Sequence, residues 1–320
     1  MFKKILAPLD MSALAESVLP HVITVAKTFQ SSILLLVVSE TIGSSSRSLS
    51  VDPLEWQIKR VEDDAYIQRI RTELRNAGLE AEAQLMEGDP AENIVELCRN
   101  SDVDLVIISS HGRSGLTGWN VSSVVHKVIQ RVHTSVMIVR AYRPTPSEME
   151  PVRYQRLLVP LDGSQRAESI IPIAISLTET NRAELHLVCM VEKPEMPSRT
   201  PLKPSDLELI GQIVERNREE AQNYFDHLQD RIAIEAKFTI LVNDNVADAL
   251  HSFVEEQNVD LILLSAHGYG YTGQTLRPYG RLAMSLIEYG TSPLLVLQDI
   301  SKGEFLMSKA EHIARDQGGR

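Results

Sequence analysis

Short runs of almost uniformly apolar residues alternate along this chain with longer segments in which apolar residues recur every three or four positions. The short runs, at 4–9, 32–38, 80–86, 104–109 and 135–139, read as strands buried on both faces. Helices are expected between them. Ser12 is placed to cap the first, which should run to residue 29. The second should cover 54–76, where Ile58, Val61 and Ala65, then Tyr66, Ile70 and Leu74, step by three or four until Gly78 stops it. A third begins at Pro90, a residue suited to a first helical turn, and a fourth covers 121–132. The pattern then repeats, with strands expected at 155–161, 184–191, 235–242, 260–265 and 293–298. Strands alternating with helices predict βαβ units and a parallel sheet.

The repetition extends to residue identity. Ile5-Leu6-Ala7-Pro8-Leu9-Asp10-Met11-Ser12 matches Leu157-Leu158-Val159-Pro160-Leu161-Asp162-Gly163-Ser164, at an offset of 152 residues. Val103-Asp104-Leu105-Val106-Ile107-Ile108-Ser109-Ser110-His111-Gly112 matches Val259-Asp260-Leu261-Ile262-Leu263-Leu264-Ser265-Ala266-His267-Gly268, at an offset of 156. A period this long is the size of a whole domain, so the chain reads as a tandem duplication. The expected division is domain 1 at 1–143, a Pro- and acid-rich linker at 144–152, domain 2 at 153–300 and a polar tail at 301–320. Long loops at 39–52 and 192–206 follow the second strand of each half. Both a functional cover and a loop without a role remain open for them.

Composition narrows the partners. A net charge of −11 and a pI near 5.4 argue against a nucleic-acid backbone or an anionic membrane surface. The two cysteines, Cys98 and Cys189, lie in apolar segments and read as buried thiols of a reducing cytosol. Met1-Phe2-Lys3-Lys4 starts like a signal peptide, but Asp10 interrupts the apolar run that follows. No run approaches the ~20 apolar residues that span a bilayer. A cytoplasmic protein is expected.

In an open parallel sheet, ligands bind beyond the strand carboxyl ends where strand order reverses. Asp10 and Asp162 end the first strand of each half, and the His-Gly motifs end the fourth, so both motifs should converge on one crevice per half. Asp10 also reads as an N-terminal helix cap, a role compatible with a site. The match of 268–273 to G-x-G-x-x-G follows the fourth strand rather than the first and reads as coincidence. The sequence G-x-x-x-x-G-K-[S/T] is absent, which excludes a P-loop NTPase. His126 and His133, seven apart on one helix, are too distant to share a metal, and no serine sits in a G-x-S-x-G context. His111 and His267 read as turn residues before ligand contacts, and Arg113 either meets a phosphate or is a solvated turn residue.

The P-x-D-x-S start, the strand leading into S-S-H-G-R-S-G and the segment entering Ser135-Val136-Met137-Ile138-Val139 resemble the universal stress protein family over essentially both halves. The resemblance implies two tandem five-stranded parallel-sheet sandwiches with helices on both faces, Rossmann-like and of the adenine nucleotide alpha hydrolase type. It further implies that ATP-binding members hold phosphates with a G-x2-G-x9-G-[S/T] signature after the fourth strand. In the first half those positions are Ser109, Gly112, Ser122 and Ser123, with spacing intact but serine for two glycines. Pro8, Asp10 and about Val37 would border the adenine. In the second half Ser265 and Gly268 correspond, Gly280 lies two residues late and is followed by Arg281, and Pro160, Asp162 and about Met190 stand on the adenine side.

Serine for glycine costs roughly 1 kcal/mol where the backbone needs positive φ, and it adds a hydroxyl donor. The first half is therefore the better nucleotide candidate. The implied function is a stress-response regulator binding ATP or a related adenine nucleotide, with Mg accompanying it and a regulatory protein partner of unknown identity. Any hydrolysis would be slow, since no general base or metal cluster is evident. A scaffold of the same fold that has lost nucleotide is the alternative, and a conventional hydrolase or dehydrogenase the remote one. The resemblance also implies pairing through the fifth strands, giving an internal pseudo-dimer of the two halves, and leaves a homodimer open.

Overall fold

The computed structural model describes residues 1–39, 53–113, 121–141, 149–194, 203–269 and 278–299. Residues 144–148 of the expected linker, the tail and most of the two long loops lie outside these residues.

In the first lobe, strands β1 (Lys4–Leu9), β2 (Ser32–Ser39), β3 (Ala81–Glu87), β4 (Leu105–Ser109) and β5 (Ser135–Val139) alternate with helices α1 (Ala13–Glu16), α2 (Leu19–Phe29), α3 (Pro53–Asn76), α4 (Pro90–Asn100) and α5 (Ser123–Ile129). The second lobe repeats the order. Its strands are β6 (Arg156–Leu161), β7 (Glu184–Glu192), β8 (Lys237–Asn243), β9 (Leu261–Ser265) and β10 (Leu294–Leu297). Its helices are α6 (Gln165–Glu168), α7 (Ile171–Asn181), α8 (Pro204–Gln229), α9 (Val246–Glu256) and α10 (Arg281–Tyr289).

All ten strands form one sheet in the order β3-β2-β1-β4-β5-β10-β9-β6-β7-β8. Every pairing is parallel except the join, where β5 meets β10 antiparallel with Val136, Met137 and Ile138 opposite Val296, Leu295 and Leu294. The fifth strands thus pair with each other, which removes two exposed edges. Alternation along the strands sends Ile5, Ala7 and Leu9 to one face and Leu6 to the other, and each face carries an apolar core that runs through both lobes. Side-chain bonds add to the joint. Thr24 donates to the Val152 carbonyl at 2.6 Å, His21 Nδ1 shares a hydrogen bond with Tyr154 Oη at 2.7 Å, and Arg140 donates to the Leu286 and Ile287 carbonyls. No described helix is long and apolar enough to cross a membrane.

Two expectations about helices are corrected. The segment from Ser12 to Phe29 forms two helices, not one, because Pro20 lacks an amide hydrogen and its ring conflicts with the carbonyl four residues back. Pro172 breaks the second lobe at the same place. In α3, Ile58 and Val61 are exposed; the buried stripe is Asp63, Ile67, Ile70 and Leu74, a different phase of the same helix. Both cysteines are free and buried.

Candidate functional site

β1 lies between β2 and β4, so the strand order reverses there and a crevice opens above the carboxyl ends of β1 and β4. Asp10 stands at its floor with both carboxylate oxygens engaged. Oδ1 accepts from the Ser12 amide at 3.1 Å and the Ser12 hydroxyl at 2.6 Å, while Oδ2 accepts from the Arg113 amide at 2.5 Å. The helix cap is Ser12 itself, whose oxygen accepts from the Ala15 amide. Asp10 is therefore not the cap; it orients the cap and fastens the loop after β4 to the loop after β1.

Gly112 makes that clamp feasible. A Cβ there would lie 3.1 Å from the Asp10 carboxyl carbon and collide with Oδ2. The second lobe is built the same way: Asp162 accepts from Ser164 at 3.0 and 2.6 Å and from the Tyr269 amide at 2.7 Å. A Cβ on Gly268 would strike the Asp162 carboxylate at the same spot. Between the Asp and its serine, Met11 holds φ = 66° in one lobe and Gly163 holds φ = 79° in the other. At this position only the first lobe places a side chain in the unfavourable region.

The serines that replace signature glycines are committed locally. Ser109 donates to the His111 carbonyl at 2.6 Å. Ser122 caps α5 with φ = −61°, accepting from the Val125 amide, so no positive φ is imposed on it. Its own amide donates to the Ser110 carbonyl at 2.8 Å, as the Gly280 amide does to the Ala266 carbonyl at 2.7 Å. Gly280 thus takes the place of Ser122 despite two extra residues in its loop, and Arg281 takes that of Ser123.

Behind the loops the lobes differ. Ser110 Oγ contacts His111 Nδ1 at 3.0 Å and accepts from the Ala141 amide at 3.2 Å. In the second lobe the serine is Ala266, and His267 Nδ1 instead meets Asp299 at 2.8 Å, with Arg166 donating to the same carboxylate at 2.8 Å. Burial opposes ionisation of Asp299, but the bonds from His267 and Arg166 outweigh it and hold the carboxyl below its ordinary range.

A cavity of about 270 Å³ occupies the first-lobe crevice. Pro8, Asp10, Val37, Ser109, Gly112, Arg113, Ser122 and Ser123 all line it, so every first-half position suggested by the sequence comes together here. Leu36, Val38 and Ile108 supply apolar wall. Sequence reasoning missed Met11, Lys59 and Asp63, which also line it. Asp63 had a signal, an acid interrupting the apolar spacing of Ile67, Ile70 and Leu74.

In the second lobe the strand register pairs Leu161 with Cys189, as Leu9 pairs with Val37. Cys189 is the counterpart of Val37, and Met190 that of Val38. Pro160, Asp162, Ser265 and Gly268 occupy positions equivalent to their first-lobe partners. Residues 270–273 of the G-x-G-x-x-G match lie outside the described region. Among the described residues, no three His, Cys, Asp or Glu side chains converge to hold a metal.

A doubly lobed, parallel α/β fold with a crevice at each β1–β4-type junction defines a Rossmann-like tandem protein. The model of the universal stress protein family matches residues 1–140 and again 153–298, and the chain belongs to that family. A universal stress protein of Methanocaldococcus jannaschii is 31% identical over 156 residues, covering 44% of this chain and 96% of its own. One from Bacillus subtilis is 28% identical over 149 residues, covering 44% and 100%. The crystal structure of a universal stress protein from Archaeoglobus fulgidus shares the fold with a TM-score of 0.61 at 19% identity, over 93% of this chain and 98% of that one. A functionally unknown protein from Pseudomonas aeruginosa gives 0.65 at 17% identity, over 97% and 98%.

Proposed function

We propose that this universal stress protein is a regulator that binds ATP or a related adenine nucleotide in the first lobe, and that occupancy alters its contacts with a protein partner. The carrying observation is the convergence of all eight expected residues on one cavity whose walls are apolar where a base would lie. The serine substitutions do not oppose this reading, since Ser122 sits at negative φ with its hydroxyl turned to its own helix. The phosphates would lie near Ser109, Gly112, Ser122 and Ser123, with Mg carried by the nucleotide rather than by a protein ligand set. The Ser110–His111 contact lies behind the loops, where Ser110 is fully buried and held by the Ala141 amide instead of lining the cavity, so turnover would be slow. The buried thiols suit a reducing, cytoplasmic setting.

The second lobe supports a different role, that of scaffold. Arg281 replaces Ser123, and the buried His267–Asp299–Arg166 group replaces a serine and an alanine. A chain with one binding lobe and one structural lobe accommodates both readings.

The test is calorimetric titration of ATP, together with adenine absorbance in small molecules released from freshly purified protein. Ser123 is exposed at the start of α5, where an acid is tolerated or mildly stabilising. Ser123→Glu should leave the melting temperature unchanged or slightly raised and weaken ATP binding at least tenfold, through repulsion of phosphate. An absence of ATP binding to the native chain at millimolar concentration overturns the reading.

A further inference from the structure

We propose that Asp63 is a specificity-determining residue of the first-lobe cavity, selecting a base with an amino group at purine position 6. The inference rests on the nucleotide reading and adds to it a basis for discrimination.

Asp63 occupies a position that the pattern of α3 reserves for an apolar residue. It continues the stripe of Ile67, Ile70 and Leu74 and is only 1% exposed. Burying a carboxylate is costly unless it is paired or hydrogen-bonded. Among the described residues its one hydrogen-bond partner is Ser39, whose hydroxyl donates to Oδ2. Among the described residues no donor is bonded to Oδ1, and the residue lines the cavity. Lys59, one turn earlier on α3 and half-buried, also lines the cavity but forms no ion pair with Asp63.

The second lobe shows that the fold does not need this acid. The buried stripe Asp63, Ile67, Ile70 corresponds to Ala221, Phe225, Leu228 on α8, so alanine fills the same site there. A carboxylate retained at a cost in one lobe, and dispensable in the other, is explained by what it faces.

Ser39 ends β2 two residues beyond Val37, on the side of the crevice away from Ser122 and Ser123. With the phosphates near those serines, the base lies toward Asp63. An ionised carboxylate only accepts hydrogen bonds. With Ser39 bonded to Oδ2, Oδ1 is the oxygen that stands open to a donor from a bound base. Adenine offers an amino group at position 6. Hypoxanthine and guanine offer a carbonyl oxygen there, which would face the carboxylate repelled, and their N1–H donor, one ring position away, would reach it only if the base shifted in the cavity. Sites built on a specific hydrogen bond reject the mismatched analogue strongly.

ATP and inosine triphosphate differ at that position, so calorimetric titration of both against the full-length chain isolates the effect. The native protein should bind ATP at least tenfold more tightly. Asp63→Asn, which can donate to the position-6 oxygen, should bring the two affinities within about threefold of each other. Asp63→Ala, the residue the second lobe uses, should also lose the preference while keeping the native circular dichroism. Equal native affinities, or a preference that survives Asp63→Asn, would sink the role of Asp63 and leave nucleotide binding standing. Binding of neither nucleotide to native protein would remove the nucleotide reading and this inference with it.

Discussion

The two crevices are copies whose frameworks agree and whose linings do not. Asp10 and Asp162 make the same three hydrogen bonds, to the same places in the chain, and each excludes a Cβ from the glycine opposite. Beside that shared clamp, Ser110 and Ala141 face Ala266 and Asp299, Asp63 faces Ala221, and Ser123 faces Arg281. The comparison separates residues that build the crevice from residues that suit it to a ligand. The Asp and Gly recur because two loops must be tied together, which any occupant, or none, requires. A nucleotide reading therefore cannot rest on those two alone, and rests on their convergence with the rest of the first-lobe lining in one cavity.

The strongest way to break this comparison is to remove the clamp. Gly112→Val and Gly268→Val should each destabilise the chain by about 4 kcal/mol, through overpacking and lost hydrogen bonds to the carboxylate. Equilibrium denaturation should find the two costs alike. A much smaller loss at Gly268 would show that the second lobe does not depend on its clamp as the first does.

Next in size is a difference in pH response at the joint. Burial depresses the His21 pKa from 6.5 to about 4. The unfolded chain therefore binds the proton more readily, and stability falls as pH drops from 6.5 toward 4. The loss approaches about 3 kcal/mol at the bottom of that window. The second lobe carries Ile173 at the corresponding position, 152 residues on. His21→Ile should flatten this slope in denaturation curves taken between pH 7 and 4. Asp299, held below its ordinary 3.8, contributes stability that is lost only at still lower pH, so the two effects separate.

A smaller effect sharpens the contrast behind the loops. Asp299→Ala leaves Arg166 and His267 without their carboxylate and should cost about 2 kcal/mol. Adding Ala266→Ser restores the Ser–Ala arrangement of the first lobe and should recover about 1 kcal/mol, measured as a double-mutant cycle. A cycle with no coupling would mean that the two lobes solved unrelated problems.

Much of the fold was legible in the chain. Apolar runs placed the central strands, whereas the edge strands β3 and β8 are mixed in polarity and only partly buried because one side of each has no neighbour. The motif offsets placed equivalent residues of the two halves at equivalent crevices. The break at Pro20 was legible too, since Pro172 repeats it, but apolar periodicity runs through both prolines and masked it. The stripe at Ile58 and Val61 misled because spacing of three or four fits more than one face of a helix 24 residues long. Asp299 was out of reach: it lies 32 residues from His267, and its first-half counterpart, Ala141, carries no acid.

The sequence by itself determined the duplication and the parallel sheet, because strand burial and domain repetition are written in local pattern, while its resemblance to the universal stress protein family supplied the first-half residues that meet at the crevice. Only the tertiary structure decided what those residues do there. It turned Asp10 from a cap into a clamp, made Cys189 and not Met190 the counterpart of Val37, and put the carboxylate of Asp63 in the wall. Each of these depends on which atoms of distant segments come within a few ångströms, and hydrogen bonds and steric exclusion act at that range, beyond what spacing along the chain encodes.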